Sequence, residues 1–140
     1  MTPAIDQARK AGVRFDILEY EHDASAESYG EEAAVKLGLS PDRVFKTLVV
    51  KLDSGALAVG IVAVTGKLNL KQMARAAGAK KAAMAEARDV ERVTGYVLGG
   101  VSPLGQKKRL TTVVDASAQS LETLYVSAGR WKSPWRRMTC

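Results

Sequence analysis

One stretch constrains the fold of this chain more than any other: an apolar run from Val44 to Leu52, the triplet Asp53-Ser54-Gly55, and a second apolar run from Ala56 to Val64. Asp-Ser-Gly between two segments rich in branched residues is turn chemistry, so the two runs predict a β-hairpin. Both runs are apolar along most of their length, which predicts strands largely covered on both faces. Helices are available as cover. Thr2-Pro3 reads as a cap and first helical position for a helix over 3–11, closed by Gly12. Ser28-x-x-Glu31 is a capping box opening a helix over 29–37, closed by Gly38. Asn69 opens a short helix that ends at Gly78, and another runs from about Ala85 to Val93. Val13, Phe15 and Ile17 alternate toward a strand ending near Tyr20, and further strands read over Tyr96–Leu98, Leu110–Val114 and Leu121–Val126. Mixed helices and hairpin strands predict an α/β or α+β single domain around one mixed sheet.

The length of 140 residues is one domain's worth and buries a core without metal or disulfide staples. One Cys and one His exclude an internal disulfide and a Cys/His zinc site, so no metal is expected. No apolar run reaches the length of a membrane span, and the N-terminal residues lack the basic-then-apolar pattern of a signal peptide. The expected setting is therefore cytoplasmic, with no membrane partner. The net charge of +6 favours a polyanionic partner, and the residues 131–140 supply +3 of it. The internal basic clusters are Lys80-Lys81 and Lys107-Lys108-Arg109, which a merely solvated face would also explain.

Among possible motifs, Gly60 to Gly66-Lys67 fails as a phosphate loop: the spacing is wrong and Leu68 stands where a hydroxyl is needed for magnesium. His22, between Glu21 and Asp23, fits a surface position. Two features carry more. Phe45-Lys46-Thr47 places a lysine at the start of an apolar strand. Alternation puts Lys46 on the face of Leu48 and Val50, and Phe45 with Thr47 on the other. A lysine in such a place holds a phosphate, carbonyl or carboxylate as a point charge, or else snorkels to water. The second feature is Gly99-Gly100-Val101-Ser102-Pro103-Leu104-Gly105. Its glycines permit close backbone approach, and their N–H groups suit an oxyanion; a plain tight turn fits the spacing equally well. The basic triplet 107–109 follows directly.

Several segments stand in the order of a known family: Thr2-Pro3-Ala4, Tyr20-Glu21-His22-Asp23, Gly30-Glu31-Glu32-Ala33-Ala34, Phe45-Lys46-Thr47-Leu48, the loop Gly99 to Lys108, and Tyr125-Val126-Ser127. The chain resembles the YbaK-type Cys-tRNA(Pro) deacylases, free-standing relatives of the editing domain inserted in prolyl-tRNA synthetases. The resemblance covers residues 1 to about 130. It implies a mixed, partly barrel-like sheet with surrounding helices. It implies hydrolysis of the ester that joins a wrong amino acid to tRNA(Pro), Cys in the first place and Ala as the sibling alternative, without a cofactor. A non-catalytic RNA-binding module and an inactive relative are the readings from other classes. Prolyl-tRNA synthetase enters as a candidate partner. The essential lysine of the family corresponds to Lys46. The substrate-binding positions carry over to Tyr20, Tyr29, Thr47, Gly99, Gly100 and Ser102; position 29 is more often Phe in relatives. Lys107, Lys108 and Arg109 stand as RNA-binding candidates. In Cys-specific relatives the thiol of the substrate is held to attack its own ester, which suits a site without a protein nucleophile.

The segment 131–140, Trp131-Lys132-Ser133-Pro134-Trp135-Arg136-Arg137-Met138-Thr139-Cys140, departs from the family pattern and is read as an atypical basic tail after an editing domain over 1–130. These residues can be encoded so that a frame shifted by one nucleotide reads Leu-Glu-Val-Ala-Val-Ala-Pro-Asp-Asp-Leu, the strand and helix start the family expects. A frameshift is therefore one expectation for the tail, and RNA binding by its Trp and Arg residues is the other. A frameshift predicts that the last strand is missing or replaced, leaving an open sheet edge.

Overall fold

The structure is a computed structural model that describes residues 2–21, the backbone of 29, residues 30–129 and the backbone of 135–139. The chain opens with α1 (Pro3–Lys10), whose N-cap Thr2 accepts the Ile5 N–H at 3.4 Å. Strand β1 (Ile17–Glu21) follows, then α2 (Tyr29–Leu37). A single 3-10 turn over Pro41–Arg43 leads into β2 (Phe45–Leu52), which turns back into β3 (Leu57–Ala63). Next come α3 (Leu70–Ala76), β4 (Ala82–Met84) and α4 (Ala87–Thr94). The chain then gives β5 (Thr111–Val114), β6 (Val126–Ser127) and β7 (Trp135–Thr139).

The strands form two sheets. A four-stranded mixed sheet runs β4-β2-β3-β5, and a three-stranded sheet runs β1-β7-β6. The predicted hairpin is there: β2 and β3 pair antiparallel from Phe45↔Ala63 to Lys51↔Leu57. β5 joins β3 in parallel, and β4 joins β2 antiparallel. The domain is α/β around a mixed sheet, as expected, but the sheet does not close, so the partly barrel-like expectation is corrected to two open sheets.

Other differences have local causes. Tyr96–Leu98 is not a strand. Thr94 Oγ1 donates to Val90 O at 2.6 Å and accepts the Tyr96 N–H at 3.1 Å, while Gly100 N–H closes a turn onto Val97 O at 2.9 Å. The predicted strand over 121–126 shrinks to β6 and one parallel bridge, Val44↔Tyr125. Val13 and Phe15 precede the first strand instead of forming it, and Val13 is exposed. β4 was not predicted, because Ala82-Ala83-Met84 has little β propensity. It is drawn to β2 by the Asp53 side chain, which accepts the N–H groups of both Lys80 and Lys81. Those bonds, the Lys81 one foremost, hold the Asp53 carboxyl below its usual range. The capping residue Ser28 lies outside the described residues, whereas the Asn69 cap is present, accepting the Gln72 N–H at 3.0 Å. In the tail, 135–139 forms the middle strand β7 between β1 and β6, so the three-stranded sheet has no gap there.

The core fills both sides of the hairpin. Val50, Leu52, Ala58 and Met73 pack on the α3 side, and Phe45, Val59, Ile61 and Val126 on the other. Burying each such side chain contributes roughly 1.5–3 kcal/mol.

Candidate active site

Lys46 lies on the second residue of β2, opposite Val62 of β3. Strand alternation gives it the face of Val44, Leu48 and Val50. One rung away, Val44 and Val64 belong to a buried cluster with Ala33 and Ala34 of α2 and with Tyr20 of β1. The approach of α2 there is close: a Cβ on Gly30 would fall 2.3 Å from Val64 Cγ1, so only glycine fits. One rung away on the other side, Leu48 faces Gly60, which is covered by Leu68 and Met73. The Lys46–Val62 rung is therefore bounded by α2 at one end and by Leu68 with α3 at the other. Lys46 is half-buried there and has no hydrogen bond or ion pair among the described residues. A cation in an apolar channel with no resident anion is placed to receive one from a ligand.

Of the other expected site residues, Tyr20 is buried in the cluster on this same side. Tyr29 opens α2 beside Gly30; its side chain lies outside the described residues. The remaining four belong to the opposite face of β2. Thr47 points with Phe45 and Val49. Its Oγ1 is buried and has no hydrogen-bond partner among the described residues. An orphaned buried hydroxyl carries a desolvation cost, which makes it a group with capacity to spare.

The glycine loop lies on that side too, with Val101 in a cluster of Ala4, Val49, Val90 and Tyr96. Its atoms are largely committed. Gly100 is buried and spends its N–H on Val97 O. Ser102 is fully buried, and its Oγ accepts the Leu104 N–H at 3.2 Å. In this conformation the Gly100 amide and the Ser102 Oγ thus both have partners within the loop. Gly99 differs: it is exposed, at φ +83°, and its N–H has no acceptor among the described residues.

The loop is also braced from outside by residues the sequence reading did not single out. Tyr96 Oη donates to Leu104 O at 2.8 Å, and Gln106 Nε2 donates to Ser102 O at 2.9 Å. Gln7 of α1 accepts the Gly105 N–H. A Cβ on Gly105, at φ +65°, would fall 2.4 Å from the Pro3 carbonyl carbon, so α1 rests directly on the loop. Burial pushes the Tyr96 hydroxyl up to about 12 from its ordinary 10.0. Tyr at 96 could have been found as a polar-tipped aromatic inside a predicted apolar strand; the partner of Gln7 lies 98 residues away and has no sequence signal.

Lys107, Lys108 and Arg109 are exposed and make no ion pair among the described residues. The charges of neighbouring α4 are by contrast locally neutralised, Arg92 with Asp89 at 3.3 Å and Arg88 with Glu86 at 3.6 Å. No group of three or more acidic, His or Cys side chains that could hold a metal occurs among the described residues. No helix among them is long and apolar enough to cross a membrane.

Comparison with known proteins gives the family and the fold. The family model for the aminoacyl-tRNA editing domain matches residues 23–133. EbsC of Enterococcus faecalis, whose name assigns it Cys-tRNA(Pro)/Cys-tRNA(Cys) deacylation, is 35% identical over 126 residues, spanning 90% of this chain and 74% of EbsC. YwhH of Bacillus subtilis, uncharacterized, is 26% identical over 114 residues, spanning 81% of this chain and 70% of YwhH. A solved structure described as a trans-editing enzyme for prolyl tRNA synthetase shares the fold, with a TM-score of 0.79 at 22% identity over 98% of this chain and 82% of that one. The solved structure of the hypothetical protein APE2540 superposes with a TM-score of 0.81 at 26% identity over 99% of this chain and 87% of that one. Matched by that model along most of its length and by EbsC along nine tenths of it, the chain belongs to the aminoacyl-tRNA editing domain family.

Proposed function

We propose that this chain, as a member of the editing family an aminoacyl-tRNA deacylase, hydrolyses Cys-tRNA(Pro) with Lys46 as the cation that positions the substrate. The observation that carries the reading is the half-buried Lys46 in the apolar channel between α2 and Leu68, with no partner among the described residues. The charge of Lys46 would hold the terminal phosphate or the ribose of the tRNA 3′ end. Tyr20 would wall the aminoacyl group on the same side, and Tyr29 is carried as a substrate-binding position by the family resemblance alone. The Thr47 hydroxyl and the Gly99 amide are the further polar contacts, with Gly100 and Ser102 shaping the loop from beneath.

An aminoacyl ester is already activated, so positioning and charge stabilisation supply most of the catalysis. In the reaction the ester C–O bond breaks, the 3′-terminal ribose oxygen leaves and takes up a proton, and the carbonyl carbon accepts the nucleophile. A cysteinyl substrate carries its own thiol nucleophile, and water completes release of the free amino acid. This suits a site in which the Thr47 and Ser102 hydroxyls are buried. The name of EbsC favours Cys over Ala as the amino acid, and that of the structurally similar trans-editing enzyme favours tRNA(Pro). Lys107, Lys108 and Arg109 would take phosphates of the acceptor stem, with prolyl-tRNA synthetase as the partner that delivers it.

The test is deacylation of Cys-tRNA(Pro) and Ala-tRNA(Pro) by the parent and by Lys46→Ala. The expected result is hydrolysis of the cysteinyl ester in preference, lost in the variant with the melting temperature retained. Parent-like turnover by Lys46→Ala would remove the role of Lys46, and preference for the alanyl ester would reassign the substrate.

A further inference from the structure

The helix that walls the Lys46 channel meets Val44 and Val64 through Gly30, Ala33 and Ala34, and Leu37 at its end packs against the same cluster. The first two turns are thus seated by small residues, which allow close approach but bury little apolar area each. The polar fastening is elsewhere. Lys36, in the last turn of α2, donates from Nζ to the carbonyl of Glu21, the last residue of β1. The same Nζ lies 3.4 Å from Glu32 Oε2, one turn back on α2. The Glu32 side chain is only 4% exposed, unusual for a carboxylate facing a lysine on a surface helix. A buried carboxylate beside an ammonium is held in one geometry, because leaving it unpaired is costly. The link joins the end of β1, which carries Tyr20, to the helix whose first turn carries Tyr29.

We propose that Lys36 and Glu32 are positioning residues of the editing site, fastening α2 to β1 so that the Lys46 channel keeps its width. This rests on the deacylase reading above. Ala33 and Ala34 pack toward Val44 and Val64, while Lys36 meets the end of β1 and Glu32 pairs with Lys36. Their effect on the reaction is therefore carried by the placement of α2.

The experiment measures kcat and KM for Cys-tRNA(Pro) hydrolysis at 25 °C, well below melting, with a thermal melt for each variant. Lys36→Met removes the donor and keeps the aliphatic stem. The expected result is a KM raised about tenfold, in line with a small misplacement of a substrate-positioning element. Lys36→Arg, which can still donate to the Glu21 carbonyl and pair with Glu32, should return KM to within about twofold of the parent. If Lys36→Met fails to fold, the double variant Lys36→Gln with Glu32→Gln, which removes both charges of the pair, should show the same rise in KM. A fall in melting temperature with KM unchanged in whichever variant folds would overturn the proposal, and so would an Arg variant as impaired as Met. Lys46→Ala is assayed alongside. If it is inactive while Lys36→Met is parent-like, only the positioning role falls. If it retains full activity, the deacylase site reading falls and takes this inference with it.

Discussion

The two faces of β2 are built on opposite principles. On the face of Lys46, a charged group is held half-buried with no partner among the described residues, between the approach of α2 to Val64 and that of Leu68 and Met73 to Gly60. On the face of Thr47 and Val49, the glycine loop is bonded to α1, Tyr96 and Gln106, and among the described residues the Thr47 hydroxyl and the Gly99 amide are left over. One face keeps an interaction in reserve for a ligand, and the other consumes its interactions in holding the fold. The contrast implies that changing Lys46 costs activity while changing the braces of the glycine loop costs stability, with Thr47 and Gly99 the exceptions.

The strongest challenge to that division is Gly129→Ala on the second face. A Cβ there would fall 2.1 Å from Tyr96 Cε1, at a φ of +93°. Crowding the ring and straining the backbone should together cost about 3 kcal/mol, read as a lowered midpoint in urea. Activity per folded molecule should stay at the parent level. On the first face, Lys46→Ala should lower kcat/KM for Cys-tRNA(Pro) at least a hundredfold, about 2.7 kcal/mol of transition-state stabilisation, with stability nearly unchanged. A variant that unfolded instead would erase the difference between the faces.

Thr47→Val sharpens the comparison, because it should move the two quantities in opposite directions. Replacing an unpartnered buried hydroxyl with a methyl of the same shape should stabilise the protein by about 1 kcal/mol. If the hydroxyl serves the substrate, kcat/KM falls at the same time; a stabilised variant with full activity would assign Thr47 to the structural side.

The smallest effect is a pH signature of the second face. The folded-state pKa of Tyr96 is raised, so folding favours its protonated form. The resulting stability is fully present below pH 10.0 and is lost as pH rises to about 12. Tyr96→Phe should lose about 1 kcal/mol at neutral pH with the hydrogen bond to Leu104, and should flatten the alkaline decline of stability in that window. An unchanged alkaline limb would mean that another group sets it.

Much of this molecule was legible residue by residue. The β2–β3 hairpin, the helix over 29–37 and the Asn69 cap follow from periodicity and capping, which act over a few neighbouring residues. Lys46 stood out because a lysine inside an apolar strand conflicts with the local pattern, and such conflicts gather at functional sites. The strand over 96–98 was misread for the opposite reason. Its apolar residues fit a strand, but the Thr94 hydroxyl and the turn at Val97–Gly100 offered the backbone other partners. β4 was invisible because the bonds that hold it come from Asp53, across the hairpin turn.

The amino-acid sequence by itself determined the mixed α/β character, the central hairpin, the lysine on its apolar face and the family to which the whole belongs. The first three depend on local spacing, which needs no knowledge of what lies across the fold, and the family rests on the resemblance of the motifs taken in order. The tertiary structure alone decided that Gly100 and Ser102 spend their polar atoms within the loop, that α1 braces it through Gln7, and that Lys36 ties α2 to the end of β1. Hydrogen bonds are short and directional, so whether two distant groups meet is settled only when packing brings them within reach of each other.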